Sequence, residues 1–365
     1  MKKHFVFLTF MLLVAMLSLV WMSSCSGKPS TKKTVYALYP MSGAFAEGGK
    51  NAQLITEMYF RDNPQSKLSV KYVDSESNPT KAVTAINQAI VADDNPLAVS
   101  VITSVGASCI PALANKNGFA IAVCSLRTKQ FDKFTNYQFL SYSVEDVVKL
   151  PAQFLSKTCS SCVVIYSSEE YGLYGADSFV TTFESLGKKV VGKVSYMSGE
   201  SSTRDVVEKA LSLNPDCIFV IGVTTTGYLN IFRDIKGRGF KGQIASDIVF
   251  SSPFIYQALA DIAEGIVFVC CDCDLAEPTT NQGLAFRKAC LANGITPYYG
   301  LVEIYDALLV ADLFVQNNRS FSQASFTSMK QFDGCLGPVK CSEKGESEYS
   351  FCLGTIANGK IVLVE

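Results

Sequence analysis

Three short apolar runs and the two helical segments between them, all within residues 68 to 125, leave few folds open to this chain. Leu68, Val70, Tyr72 and Val73 form a β-branched and aromatic run. Asn78-Pro79 breaks it, and Ala82, Val83, Ile86 and Ile90 then recur at the spacing of a helix face. Leu97 to Ile102 is a continuous apolar run, followed by the small polar loop Thr103 to Ser108, the helical Ile110 to Lys116 and a third run, Phe119 to Cys124. Strand, helix, strand, helix, strand implies a parallel sheet, because parallel neighbours need a long crossover that is usually a helix. Open parallel sheets take ligands beyond the carboxyl ends of their strands, which makes Thr103 to Ser108 and Ser125 to Thr128 candidate site loops. Small polar residues suit a loop without a ligand equally well.

The chain begins with Lys2 and Lys3, continues through apolar Phe5 to Met22 and leaves that run at Met22-Ser23-Ser24-Cys25. A basic start, an apolar region and a small-residue exit describe a secretory signal. The run is nearly long enough to span a bilayer, so an uncleaved anchor helix is the alternative. Cys25 preceded by small residues resembles the bacterial lipobox, in which the cysteine is lipidated and becomes the first residue. On that reading residues 1–24 are a lipoprotein signal peptide and residues 25–33 a flexible tether rich in Ser, Lys and Pro. The mature chain is then held by lipid on Cys25 at the bacterial cell envelope, on the extracytoplasmic or periplasmic side. What remains of the 365 residues is too long for one ordinary core and comfortable for two lobes.

With 32 basic against 33 acidic side chains over the whole chain, neither nucleic acid nor an acidic membrane surface is indicated as a partner. The signal also takes away His4, the only histidine. Without histidine the mature chain builds no Ser-His-Asp triad, Cys-His pair or His-ligated metal, so the commonest hydrolytic machinery is excluded and the chain reads as no enzyme. No paired-carboxylate or Gly-rich phosphate motif stands out, and no cofactor or metal is expected.

Of the 13 cysteines, Cys124, Cys217 and Cys270 lie in or beside apolar strands, where a thiol serves as a small buried hydrophobe. Cys159-Ser-Ser-Cys162 has redox or zinc spacing, and Cys270-Cys271-Asp272-Cys273 holds further thiols. Neither has the flanking residues of a zinc ribbon. A structural disulfide or free thiols is the favoured reading, a metal or redox site the other.

Along the chain, a first strand Thr34 to Tyr39 opens into Pro40-Met41-Ser42-Gly43 and Glu47-Gly48-Gly49 ahead of a helix Asn51 to Arg61, glycines at such a turn letting a ligand approach the backbone. After a strand Tyr137 to Ser143, a second alternating series runs from helix Val144 to Thr158 through strands Cys162 to Tyr166, Lys189 to Tyr196, Cys217 to Ile221 and Lys241 to Ala245 to a strand Gly265 to Val269. Asn281 to Asn293 and the strongly apolar Gly300 to Gln316 read as helices. Two-residue alternation over Tyr349 to Ile356 and Lys360 to Val364 about Asn358-Gly359 reads as a hairpin.

The order and spacing of several short motifs resemble the type 1 periplasmic binding proteins, specifically the leucine/isoleucine/valine-binding family of solute receptors, over essentially the whole mature chain. They are Pro40-Met41-Ser42-Gly43; Tyr72-Val73-Asp74 through Asn78-Pro79-Thr80-Lys81-Ala82-Val83; Glu170-Tyr171-Gly172 to Gly175; Asn214-Pro215-Asp216; Tyr305-Asp306-Ala307; Leu336-Gly337-Pro338-Val339; and Glu343-Lys344-Gly345. The resemblance implies an α/β fold of two doubly wound, Rossmann-like lobes joined by three crossing strands, closing on a ligand by hinge motion without turnover. The crossings fall near Phe139 to Ser143, Ile266 to Cys271 and Val339 to Ser342. The N-terminal lobe is then residues 34–138 plus 272–338 and the C-terminal lobe residues 139–271 plus 339–365.

Carried over by position, Val105 to Ser108, with Gly106 and Ser108, resembles the loop that holds an amino acid's carboxylate. Ser125 matches the residue whose carbonyl takes the ligand ammonium, Tyr171 and Thr224 match contacts from the second lobe, and Asp247 matches the acidic residue that pairs with the ammonium. Asp247 equally suits a cap on a helix Ile248 to Ala260. Gly48 stands where the family has an aromatic ring and Arg127 where it has a small hydroxyl residue, which favours a bulkier or acidic ligand; Arg127 fits the rim as well as a ligand contact. The resemblance implies a monomeric, lipid-anchored receptor that captures an amino acid or similar small polar ligand and delivers it to ABC permease subunits. A ligand-sensing subunit that reports to a partner protein without transport is the alternative.

Overall fold

The structure, a computed structural model, describes residues 32–43, 45–101, 107–124, 129–197 and 199–364. Its first sheet contains β1 (Lys33–Tyr39), β2 (Leu68–Asp74), β3 (Leu97–Val101), β4 (Phe119–Val123) and β5 (Tyr137–Leu140), ordered β2-β1-β3-β4-β5 with every pair parallel. Five further parallel strands follow: β6 (Ser161–Ser167), β7 (Lys189–Tyr196), β8 (Cys217–Ile221), β9 (Gln243–Ser246) and β10 (Val267–Cys270). Their order, β7-β6-β8-β9-β10, repeats the winding of the first sheet. The doubly wound pattern read from residues 68 to 125 is therefore built twice.

After β10 the chain returns to the first body. Phe286 and Cys290 of the helix Asn281–Ala292 join the core beneath β1, and so does most of the helix Tyr299–Gln316. A small antiparallel sheet comes next, made of β11 (Gln331–Gly334), β12 (Gly337–Cys341) and β13 (Ser347–Glu348). It stays close to β5, since Phe139 N donates to Gly345 O at 2.7 Å and Gln138 Nε2 to Glu346 O at 2.9 Å. Then β14 (Cys352–Ala357) and β15 (Lys360–Leu363) add to the second sheet, β14 running antiparallel to β10. Asn358 and Gly359 both have positive φ, 53° and 73°, the backbone that a two-residue hairpin matching strand twist requires.

Alternation along each strand divides the core. Val35, Ala37 and Tyr39 face one cluster with Phe119, Ile121 and Val123, while Tyr36, Leu38, Ala120 and Ala122 face the opposite one with Ile86 and Leu113. The second sheet is packed the same way, Val163 and Ile165 on one side and Cys162 and Val164 on the other. Each such aliphatic or aromatic side chain taken from water contributes about 1.5–3 kcal/mol, and burial on both faces explains why these strands read as unbroken apolar runs.

Local differences from the sequence reading have local causes. The first helix begins at Ala46 rather than Asn51, so Gly48 and Gly49 lie in its first turn and not in a preceding loop. A Cβ at Gly49 would sit 2.2 Å from the Pro40 carbonyl, so glycine there permits the close packing of helix on turn. The single helix expected over Ile248 to Ala260 is a 3-10 turn, Ile248–Ser251, and a short helix, Pro253–Tyr256. Pro253 forces Ser252 into extended backbone at φ −61°, ψ 132° and splits the two. β5 ends at Leu140, earlier than the expected Ser143. Among the described residues, no helix is long and apolar enough to cross a membrane.

Candidate functional site

The carboxyl ends of β6, β8 and β9 deliver Tyr171, Thr224 and Asp247 to one edge of the second sheet. Asp247 follows the last residue of β9 directly, and its side chain makes no capping hydrogen bond to the turn it opens. The carboxylate turns inward instead and is fully buried. Its Oδ2 accepts from the Tyr171 hydroxyl at 2.9 Å and from Gly222 N at 3.4 Å; its Oδ1 accepts from the Tyr228 hydroxyl at 2.8 Å and from Ser246 Oγ at 3.4 Å. None of these donors is a cation. Burial pushes the carboxyl up to about 7, against the opposing pull of the two tyrosine hydroxyls.

Tyr171 sits in the first turn of the helix Glu170–Ser185 and is half-buried. Its hydroxyl proton goes to Asp247, which leaves the phenol oxygen's lone pairs as acceptors strengthened by the negative group behind them. Thr224 is exposed in the loop after β8, next to Thr225, whose Oγ caps the helix Thr226–Gly237 by accepting from Tyr228 N. On the first body, Gly48 is half-buried in its helix. Ser108 is also half-buried, its Oγ 3.5 Å from the Pro79 carbonyl. Gly106, Ser125 and Arg127 lie outside the described residues, as does Cys25.

The sequence reading did not find a row of aromatic rings that continues from Tyr171. Tyr142, just after β5, contacts Tyr171 with ring centroids 6.4 Å apart, Tyr299 at 5.6 Å and Phe351 at 6.3 Å. Tyr299 contacts Tyr298 at 5.6 Å, and Tyr298 meets Phe254 at 6.2 Å. The row thus joins residues that follow β5, β6 and β9 to the start of the helix Tyr299–Gln316. Its members are half-buried except Phe254, which is exposed. The paired tyrosines 298 and 299 at a helix start were the available signal, but they look the same in sequence as core aromatics.

A second buried carboxylate lies behind this row. Glu303 accepts from the backbone N–H of Cys124, at the end of β4, and from Tyr142 N at 3.3 Å. Burial raises its carboxyl to about 8. Cys124 has φ +49°, so Glu303 holds the main chain in the left-handed region just after β4. Two further acids of the same helix make similar bonds. Asp306 takes Cys335 N at 2.7 Å, and Asp312 takes Lys67 N at 2.8 Å and the Tyr59 hydroxyl at 3.0 Å. Asp306 is raised to about 7 by burial.

Cys159 and Cys162 belong to the core of the second sheet, and Cys270, Cys271 and Cys273 are all buried. No S–S bond joins any two described cysteines in the structure, and among the described residues no group of three or more His, Cys, Asp or Glu side chains is arranged to hold a metal.

Comparison with known proteins agrees with this geometry. Residues 34–344 match the family described as periplasmic binding protein. A leucine binding protein, LivK of Thermotoga maritima, superposes with a TM-score of 0.78 at 18% identity, covering 91% of this chain and 98% of that one. A solute binding protein of an ABC transporter from Rhodopseudomonas palustris BisB5, in complex with 3,4-dihydroxy benzoic acid, gives 0.79 at 15% identity over 92% and 96%. The branched-chain amino acid transporter substrate binding protein LivJ of Streptococcus pneumoniae, in complex with isoleucine, gives 0.79 at 15% over 91% and 99%. No curated protein matches by sequence. Two sheets wound alike, a chain that passes between them more than once and a family match across nearly all the described residues lead to one assignment: the chain belongs to the periplasmic binding proteins and has their type 1 two-lobed α/β fold.

Proposed function

We propose that this protein is a lipid-anchored extracytoplasmic receptor that captures an amino acid or similar small polar ligand between its lobes and hands it to an ABC permease. The moving bodies are the first sheet with the β11–β13 sheet beside β5, and the second sheet with β14 and β15. The observation that carries the reading is Asp247, a fully buried carboxylate at a strand's carboxyl end with no cationic partner, joined through Tyr171 to a row of aromatic rings drawn from both sheets. The ligand ammonium donates to the Tyr171 oxygen, whose own proton is held by the Asp247 carboxylate behind it. Thr224 contributes from the same lobe, while Gly106, Ser108 and Ser125 hold the carboxylate from the other. Gly48 leaves room for the side chain, Arg127 contributes a cation at the loop after β4, and Cys25 carries the lipid.

Cationic ligand groups also gain from aromatic faces when water is excluded, by about 0.5–2 kcal/mol. Amine-free carboxylates such as 3,4-dihydroxybenzoate, the ligand of one structural neighbour, would use the aromatic row but not Asp247. The test is calorimetric titration with individual amino acids. Asp247→Ala is expected to weaken binding of an amine-bearing ligand at least tenfold, about 1.4 kcal/mol, with the circular dichroism spectrum unchanged. Equal affinity in the variant would remove Asp247 from the site.

A further inference from the structure

We propose that Cys270 and Cys352 are joined by a disulfide in the exported protein. The two residues stand directly opposite each other where β10 runs antiparallel to β14, and their sulfurs are 3.5 Å apart. Opposed residues of an antiparallel pair have Cα atoms about 4.5–5.5 Å apart, within the span of about 4.4–6.8 Å that disulfides bridge. No backbone movement is needed to close the bond.

The surroundings fit that bond. Gly354 lies on the same face of β14 as Cys352, and a Cβ there would come within 2.9 Å of the Cys270 sulfur. A glycine two residues along the strand therefore gives the Cys270 thiol its space. Cys271 is no competitor: it points to the opposite face, into the core of the first body, whereas Cys270 belongs to the core of the second. Cys162 and Cys217 are also opposed, across the parallel strands β6 and β8, but both are fully buried, so neither thiol can meet an oxidant, whereas Cys352, although it points to Cys270 O at 3.5 Å, is half-buried.

Exposure sets the order of events. Cys352 is half-buried and Cys270 fully buried, so Cys352 meets the oxidant first. The Cys352 thiolate attacks a small or protein-borne disulfide, forming a mixed disulfide and releasing one thiolate, which takes up a proton. Cys270 then loses its proton and attacks the Cys352 sulfur, expelling the second half of the oxidant as a thiol. One S–S bond forms, and two protons and two electrons pass to the oxidant disulfide. Extracytoplasmic compartments sustain this chemistry. Both cysteines lie in the second sheet, so the bond fixes β10 at the point where the chain leaves for the first body without linking one sheet to the other.

The test uses the full chain, folded, fully reduced and then incubated with excess glutathione disulfide. Free thiols are alkylated, the protein is digested and the peptides are mapped by mass spectrometry. A peptide pair linked through Cys270 and Cys352 is expected. In Cys270→Ala the glutathione adduct should remain on Cys352, and in Cys352→Ala Cys270 should stay unmodified until the protein is unfolded. Reductant should lower the melting temperature of the oxidised wild type and leave that of the Cys270→Ala/Cys352→Ala protein where it was. Recovery of both cysteines as alkylated free thiols from wild type, or a link from either one to another cysteine, overturns the proposal. The wild-type map decides this even if a variant fails to fold.

Discussion

Asp247 concentrates the chemistry of the proposed site in one residue. Its carboxyl is raised from an ordinary 3.8 to about 7 because it is buried with hydroxyl and amide donors but no cation. Binding an ammonium against it requires the ionised form, so the unliganded protein must release a proton to bind below pH 7. Affinity for an amine-bearing ligand is therefore expected to be flat above about pH 8 and to fall toward acid, approaching about tenfold per pH unit below 7; calorimetry across pH 5 to 9 measures it. Tyr171→Phe should weaken the same ligand, because it removes both the oxygen proposed to meet the ammonium and a donor that keeps Asp247 charged. A family pattern singled out Asp247 and Tyr171 in the sequence, and the structure joins the two by a hydrogen bond. No pattern singled out Tyr142 or Glu303. Tyr142 follows a strand that was read three residues too long, and Glu303 lies within a stretch whose apolar residues alone signalled a core helix.

At the level of elements, the helix Tyr299–Gln316 is the post to which several loops are tied. Three carboxylates on an almost wholly buried helix satisfy main-chain N–H groups from four separate places: Cys124, Tyr142, Cys335 and Lys67. Periodicity identified the helix but not this role, since a helix packed on nearly all sides has no polar face against which an acid looks misplaced. Removing one acid leaves a buried donor unpaired, which costs about 1–3 kcal/mol. Asp312→Ala, which strands both Lys67 N and the Tyr59 hydroxyl, is expected to fall in that range by urea denaturation while leaving ligand affinity unaltered. Glu303→Ala should lower affinity as well, because Glu303 holds Cys124, the residue before Ser125. The strands and their order were the most legible part of the fold, since burial on both faces writes itself as apolar runs. The split after Asp247 was hidden in one Ser-Pro step.

In the whole molecule these buried acids add up. Asp247, Asp274 and Asp306 are raised to about 7 and Glu303 to about 8, in each case chiefly by burial. The folded chain therefore holds protons that the unfolded chain has released, from roughly pH 4 upward. Stability from these groups is greatest at the acid end, falls as pH rises through 5 to 8, and levels off above. Each group contributes at most about 1.4 kcal/mol per pH unit. Asp74, Asp216 and Asp272, held low by hydrogen bonds, act only below that window. The melting temperature of the unliganded protein is expected to be higher at pH 5.5 than at pH 8, as differential scanning calorimetry would record. Ligand reverses part of this trend, because it favours ionised Asp247. The central claim is that two lobes close on a ligand carrying an amine, and a thermal-shift screen of amino acids, amines and amine-free carboxylates at pH 8 tests it most directly. A ligand at a hundred times its Kd adds about 2.7 kcal/mol to the folded state. At least one amino acid should raise the melting temperature, and the shift should shrink in Asp247→Ala. A screen in which only amine-free carboxylates stabilise the protein, equally in wild type and Asp247→Ala, would contradict it.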